Sequence, residues 1–123
     1  MSKNILIIED EEVISDLLEK KLTKEGYSVR VTKNGLDGLK AMKEKRPDLA
    51  LLDIIMPKMG GFEVLEKMAQ DKAIQDIPVI IISNSGQPVE IDRVIKMGAK
   101  DWLVKTEFDP QEVLEKVKKQ IGN

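Results

Sequence analysis

Three short runs of apolar side chains constrain this chain more than anything else in it: Ile5-Leu6-Ile7-Ile8, Leu49-Ala50-Leu51-Leu52 and Val79-Ile80-Ile81-Ile82. A strand with one wet face alternates apolar and polar residues. A run without alternation fits a strand covered on both faces, as in the middle of a parallel sheet. Segments of helical period lie between the runs. Ile14, Leu17, Leu18 and Leu22 recur at helical spacing, with Gly26 as a stop. Leu36, Leu39 and Met42 mark a second helix that ends before Pro47. Phe62, Leu65, Met68 and Ala69 mark a third, and Ile91, Val94 and Ile95 a fourth, stopped by Gly98. Tyr27–Thr32 and Trp102–Val104 read as two further strands, and the fourth strand is read as Pro78–Ile82. Asp109-Pro110-Gln111-Glu112 starts a last helix with a capping acid, Pro at the first helical position and Glu at the third. Val113, Leu114, Val117 and Ile121 line its apolar face. Five strand–helix pairs in strict alternation predict right-handed crossovers and helices on both sides of a parallel sheet. The expected fold is a doubly wound five-stranded α/β sheet of strand order 2-1-3-4-5, a flavodoxin-like three-layer sandwich.

The 123 residues suit one domain, and no linker, repeat or low-complexity stretch divides them. The last helix ends close to the C-terminus, so no second domain is expected. Lys+Arg number 20 against 22 Asp+Glu, a balance that does not suggest binding to nucleic acid. The chain has no cysteine and no histidine. That excludes disulfides, thiol nucleophiles, the commonest zinc ligands and a phosphohistidine of its own. The N-terminal apolar stretch is too short for a signal peptide and no segment is long enough to span a bilayer, so a cytoplasmic protein is expected.

Chemistry in such a sheet belongs beyond the carboxyl ends of the strands. Glu9, Asp10, Glu11 and Glu12 follow the first strand. Asp53 ends the third, Ser83 the fourth, and Lys105 follows the fifth. The carboxylates of Glu9, Asp10 and Asp53 would repel one another unless a cation sat among them. Mg²⁺ suits such a place: it takes oxygen ligands, keeps waters and leaves room for a phosphate oxygen. Lys105 adds a compact positive charge, and the Ser83 hydroxyl a hydrogen bond for a phosphoryl oxygen. The combination reads as a phosphoryl-transfer site with Asp53 as nucleophile.

At these residues the sequence resembles the receiver domain of two-component response regulators, including its single-domain, chemotaxis-regulator-like members. The resemblance covers essentially the whole chain. It rests on Glu9 and Asp10 in IIEDEE, Asp53 in LLDIIMPKMGG, Ser83 in VIIISN and Lys105 in GAKDWLVK, in the family's order and spacing. It implies one receiver domain over residues 1–123 with no output domain, and no enzymatic turnover beyond its own phosphorylation and dephosphorylation. It implies Mg²⁺ held by Asp10, Asp53 and the backbone carbonyl of Ile55, with Glu9 acting largely through water. Asp53 would take a phosphoryl group from the phosphohistidine of a sensor histidine kinase, or exchange it with a histidine phosphotransfer protein. Ser83 would move toward the phosphate and the aromatic at Trp102 would turn inward. The face of the fourth helix, fifth strand and fifth helix would then change its affinity for a downstream protein. No direct contact with nucleic acid or membrane is implied. The chain would be a monomer or a phosphorylation-dependent dimer. Ile55 and Ser85 flank the site, and an apolar Ile55 cannot orient an attacking water, so a long-lived adduct is expected.

Four positions depart from the family's pattern. Thr106 stands where Pro commonly follows the lysine, Asn84 where a small residue follows the hydroxyl, Gly60 where Asp is frequent, and Trp102 where Tyr or Phe is usual. Taken singly, each site residue also has a plainer reading. Glu9 to Glu12 suit a helix N-terminus, Asp53 a strand-end cap, Ser83 a small polar strand end, Lys105 a solvated surface and Trp102 ordinary packing. Lys116, Lys118 and Lys119 suit a solvated helix face, and Met42, Met68 and Met97 suit the core. Three other functions compete. An Asp-nucleophile, Mg²⁺-dependent phosphatase of the haloacid-dehalogenase type would carry its nucleophile after the first strand, not the third. A flavin-binding protein of this topology would need a Ser/Thr/Gly-rich first loop, where Glu9 to Glu12 repel a phosphate. A receiver-like interaction module that is never phosphorylated would not need all four site residues.

Overall fold

In a computed structural model that describes residues 2–84, 87–106 and 109–122, five strands alternate with five helices. They are β1 (Asn4–Ile8), α1 (Glu12–Lys24), β2 (Ser28–Thr32), α2 (Gly35–Glu44) and β3 (Leu49–Asp53). Then follow α3 (Gly61–Ala69), β4 (Val79–Ser83), α4 (Pro88–Lys96), β5 (Asp101–Val104) and α5 (Pro110–Ile121). All pairings are parallel, in the order β2-β1-β3-β4-β5. Every residue of β3 and β4 is buried, as their unbroken apolar runs require.

The pleat divides each buried strand between two cores. Leu6, Ile8, Ala50, Leu52, Ile81 and Trp102 face one side, where Leu39 and Met42 of α2, Val64, Leu65 and Met68 of α3 and Val94 of α4 cover them. Ile5, Ile7, Leu49, Leu51, Ile80, Ile82 and Leu103 face the other, under Leu18 and Leu22 of α1 and Val113, Leu114 and Val117 of α5. This is the expected three-layer sandwich. Truncating a fully buried residue such as Leu51 to alanine should cost about 2–5 kcal/mol.

Local chemistry bounds the helices, at α1, α4 and α5 where the sequence suggests. The Asp109 carboxylate accepts from Glu112 N at 2.9 Å, and Pro110 occupies the first turn of α5. Asn34 caps α2 by accepting from Asp37 N at 2.8 Å. Gly26 and Gly98 take the left-handed conformation just past α1 and α4. The C-terminal end of α5 is tied to the sheet by Tyr27, whose hydroxyl donates to Gly122 O at 2.6 Å, and by Lys3, whose ammonium donates to Ile121 O.

Some sequence expectations shift. Tyr27 lies before β2, and Pro78 before β4, where its carbonyl still accepts from Ala50 N. Leu17, Leu36 and Ile95 face solvent, as does Ala69, while Val64 takes the core position on α3. Each helix rests on the sheet along a narrow stripe, so an apolar residue at its margin points outward. Met42 and Met68 are core residues, but Met97 is only half-buried. Lys116 is not simply solvated: its ammonium lies 2.9 Å from Asp101 Oδ1 and joins α5 to β5.

Candidate functional site

Parallel pairing brings the carboxyl ends of β1, β3, β4 and β5 to one rim of the sheet. Asp53 is the last residue of β3 and Ser83 the last of β4. Glu9 follows β1 and donates its N–H to Thr32 O, prolonging the ladder by one step. Lys105 follows β5 and donates its N–H to Ser83 O at 2.7 Å. Parity decides which side chains meet. Glu9, Asp53 and Lys105 continue the rows of Ile7, Leu51 and Leu103, which share the face under α1 and α5. Ser83 continues the row of Ile81, on the opposite face with Trp102.

Lys105 is the hub. Its ammonium donates to Asp53 Oδ2 at 2.9 Å, Glu9 Oε2 at 3.0 Å and Glu11 Oε1 at 3.0 Å. Glu9, Asp53 and Lys105 are buried, at 1%, 3% and 9% exposure, while Asp10 beside them is exposed. Burial pushes the Glu9 carboxyl up to about 7, against the backbone N–H of Glu11 and the Lys105 ammonium, which favour its charged form. Burial likewise raises Asp53 above the ordinary carboxylate range, opposed by Lys105. Burial alone would lower the Lys105 ammonium, but its hydrogen bonds to Glu9, Asp53 and Glu11 outweigh that and hold it above its ordinary value.

The donor set fits a hard divalent cation. One carboxylate oxygen from each of Glu9, Asp10 and Asp53 lies within 4.8 Å of the other two. Glu9 Oε1 is 2.9 Å from the Lys105 ammonium but off its hydrogen-bonding directions, so this buried oxygen has no donor of its own among the described residues. One lysine cannot neutralise these acids. Oxygen-only ligands on an exposed rim are what Mg²⁺ selects.

Each residue singled out from the sequence can now be placed. Glu9, Asp53 and Lys105 meet directly, and Asp10 joins the acid cluster. Glu9 is buried against Lys105 because its side chain shares the parity of β1's inward face. Ser83 is buried at the rim, one step past the Asp53↔Ile82 pair. Ile55 lies just beyond Asp53 and is 78% exposed. The Lys105–Thr106 peptide is trans. Asn84 is exposed, and Ser85 lies outside the described residues. Trp102 is already inward: its indole packs in the core that α2, α3 and α4 cover, and its Nε1 has no hydrogen-bond partner among the described residues. Glu11, one of the acids after the first strand, was not expected as a site residue, although its place two residues after Glu9 in the acidic run was the available signal.

The sequence profile of the response regulator receiver domain matches residues 5–118. The chain belongs to that family. Among curated relatives, this receiver domain is 36% identical to the alkaline phosphatase synthesis transcriptional regulatory protein PhoP of Bacillus subtilis (strain 168) over 120 residues, covering 96% of the chain and 48% of the relative. The chain spans about half the length of the curated relatives it matches first. Among solved structures, a putative response regulator from Chloroflexus aurantiacus J-10-fl superposes with a TM-score of 0.92 at 25% identity, each chain covered over 100%. The receiver domain of sensor histidine kinase PA1611 from Pseudomonas aeruginosa PAO1, with magnesium coordinated in its active site cleft, shares the fold with a TM-score of 0.89 at 22% identity, both chains again covered over 100%. No helix of the described residues is long and apolar enough to cross a membrane.

Proposed function

We propose that this receiver domain is the phosphoacceptor module of a two-component phosphorelay, with Asp53 as the acceptor. A carboxylate oxygen of Asp53 attacks the phosphorus of a phosphohistidine on a sensor histidine kinase or a histidine phosphotransfer protein. The new O–P bond forms as the P–N bond breaks, and the imidazole leaves with the bonding pair. The single observation that carries this reading is the 2.9 Å contact between Lys105 Nζ and Asp53 Oδ2 beside the Glu9–Asp10–Asp53 cluster. A nucleophile, a fixed ammonium and a cation site within one rim are the parts that positional and electrostatic catalysis of phosphoryl transfer requires.

Asp10, Asp53, the Ile55 carbonyl and Glu9 would hold Mg²⁺, which when bound offsets the charge of the phosphoryl oxygens. Lys105 donates to a phosphoryl oxygen, and Ser83 offers a hydroxyl from the neighbouring strand end. Trp102 lies on β5 opposite Ile81, in one core with Val94 of α4 and Ala99. A shift of Ser83 toward the phosphate would be passed to α4 through this core. On this reading the face of α4, β5 and α5 is the output surface, its partner is a protein, and the module turns over no substrate beyond its own phosphoryl group. The work is done in the cytoplasm, where histidine kinases transfer their phosphoryl groups.

The test is incubation of the full chain with Mg²⁺ and acetyl phosphate, followed by intact mass. One added phosphoryl group is expected. It should vanish in Asp53→Asn and when Mg²⁺ is chelated, and an apolar Ile55 should leave it long-lived. A wild-type chain that takes no adduct, or that releases phosphate steadily over many turnovers, would overturn the reading.

A further inference from the structure

Phosphoacceptor chemistry gives Asp53, Lys105 and the cation site their roles but leaves the contact between Glu11 and Lys105 without one. We propose that Glu11 is a positioning residue: it occupies the third N–H of Lys105 in the resting chain and cedes it to the phosphoryl group on Asp53. This inference rests on the phosphoacceptor reading of Asp53.

An ammonium has three N–H donors. Here they are spent on Glu9, Asp53 and Glu11, all at 2.9–3.0 Å. A phosphoryl oxygen can be bonded only if one acceptor withdraws. Glu9 cannot swing away, because at 1% exposure the protein encloses it and Glu11 N holds its Oε2 at 2.9 Å. Asp53 is the residue that carries the incoming group. Glu11 alone has a way out: its side chain is 51% exposed and can rotate into water. Its backbone is held meanwhile, because Glu11 N donates to Glu9 Oε2 at 2.9 Å and Glu11 O accepts from Ser15 N at the start of α1. The exchange thus moves one side chain and leaves the helix in place. The charge count points the same way. One ammonium already faces three carboxylates, and a phosphoryl group raises the negative charge further, so withdrawal of Glu11 relieves repulsion. Glu11 competes with the phosphoryl group and biases the chain toward its resting state.

The test uses trifluoroberyllate, whose beryllium takes a carboxylate oxygen as its fourth ligand, in place of any bound water, and so becomes a tetrahedral mimic of a phosphoryl group. Its affinity for the full chain at saturating Mg²⁺ is read from backbone amide resonances. Glu11→Gln keeps the side chain's length and removes its charge. It should bind about two- to fivefold more tightly than wild type, the range expected from losing one partly exposed ion pair as a competitor. Damage to the site would weaken binding, so tightening is a result that a merely structural role for Glu11 does not give. Glu12→Gln removes the same charge from the next residue, which is not a partner of Lys105, and should match wild type. Equal tightening in both variants, or none in Glu11→Gln while wild type binds, overturns the role of Glu11 and leaves the phosphoacceptor reading standing. A wild-type chain that binds no trifluoroberyllate and takes no phosphoryl group overturns both.

Discussion

Asp53 and Lys105 meet at 2.9 Å although the strands that lead to them are not neighbours. β4 lies between β3 and β5, so the contact spans two strand spacings, about 9–10 Å of sheet. The long stem of the lysine closes that gap across the carboxyl end of β4. Its backbone N–H is fixed meanwhile on Ser83 O. The sheet therefore sets where the ammonium starts, and the acids set where it ends.

Lys105→Met should expose how strained the acid cluster is without its cation. The substitution keeps the stem and leaves Glu9 and Asp53 buried without a counter-charge. Breaking a buried pair in this way costs about 3–5 kcal/mol. Urea denaturation at pH 8 without Mg²⁺ should show a loss of that order, and a smaller one at pH 5, where the raised carboxyls can take protons. Equal losses at the two pH values would mean that the acids are not held by Lys105.

Glu9 gives the metal-free chain an unusual pH dependence. Its carboxyl ionises near 4.5 in the unfolded chain but only at about 7 in the folded one. Below 4.5 both states are protonated and the folded state keeps this contribution in full. Between 4.5 and 7 the unfolded chain releases a proton that the folded chain retains, so stability falls as pH rises through that window. At 1.36 kcal/mol per pH unit the change is about 3 kcal/mol. Asp53, also raised, acts in the same direction. Lys105 is raised from a value far above the window and does not titrate within it. With Mg²⁺ chelated, wild-type stability measured relative to Glu9→Gln should drop between pH 4.5 and 7; a constant difference would contradict the burial of Glu9.

The sequence made the layers legible because β1, β3 and β4 are apolar without alternation, as strands covered on both faces are. The rim was legible for the same reason: a parallel sheet fixes which ends converge, so Asp53, Ser83 and Lys105 could be brought together from their places after apolar runs. Details set by side-chain parity and helix rotation were not. The burial of Glu9 depends on its sharing a face with Ile7, and the outward positions of Leu17 and Ile95 depend on how α1 and α4 roll on the sheet. Glu11 resembles any acid at the start of a helix until Lys105 is seen to reach it.

Trp102 poses a question of magnitude. Its ring fills space in the core, but its Nε1 is buried without a partner among the described residues. Leaving such a donor unsatisfied costs about 1–3 kcal/mol, which offsets much of what the ring contributes. Trp102→Phe removes the donor and keeps most of the apolar bulk, so thermal unfolding should change by no more than about 1 kcal/mol. Trp102→Ala removes the bulk as well and should cost about 3–5 kcal/mol. A loss from Trp102→Phe as large as that from Trp102→Ala would show that the indole nitrogen is bonded in solution.

Gly61 couples the fold to the chemistry through space that a methyl group would fill. It opens α3, and its N–H donates to Ile54 O at 2.7 Å, which folds the loop after Asp53 back on itself. A Cβ at this position would lie 2.5 Å from the Asp53 carbonyl oxygen and 2.9 Å from Ile54 Cα. Both are backbone atoms, so the strand end must move to admit it. Gly61→Ala should cost about 1–3 kcal/mol by overpacking and slow the phosphorylation of Asp53 by acetyl phosphate. Gly26→Ala is the matched control. A Cβ there meets nothing within 4 Å, and its cost comes from a φ of +100° far from the rim. It should lose stability, about 1–2 kcal/mol, and leave the rate of adduct formation at the wild-type value. If the two variants slow phosphorylation alike, the effect is global destabilisation, and the packing of Gly61 against the Asp53 backbone does not tune the acceptor.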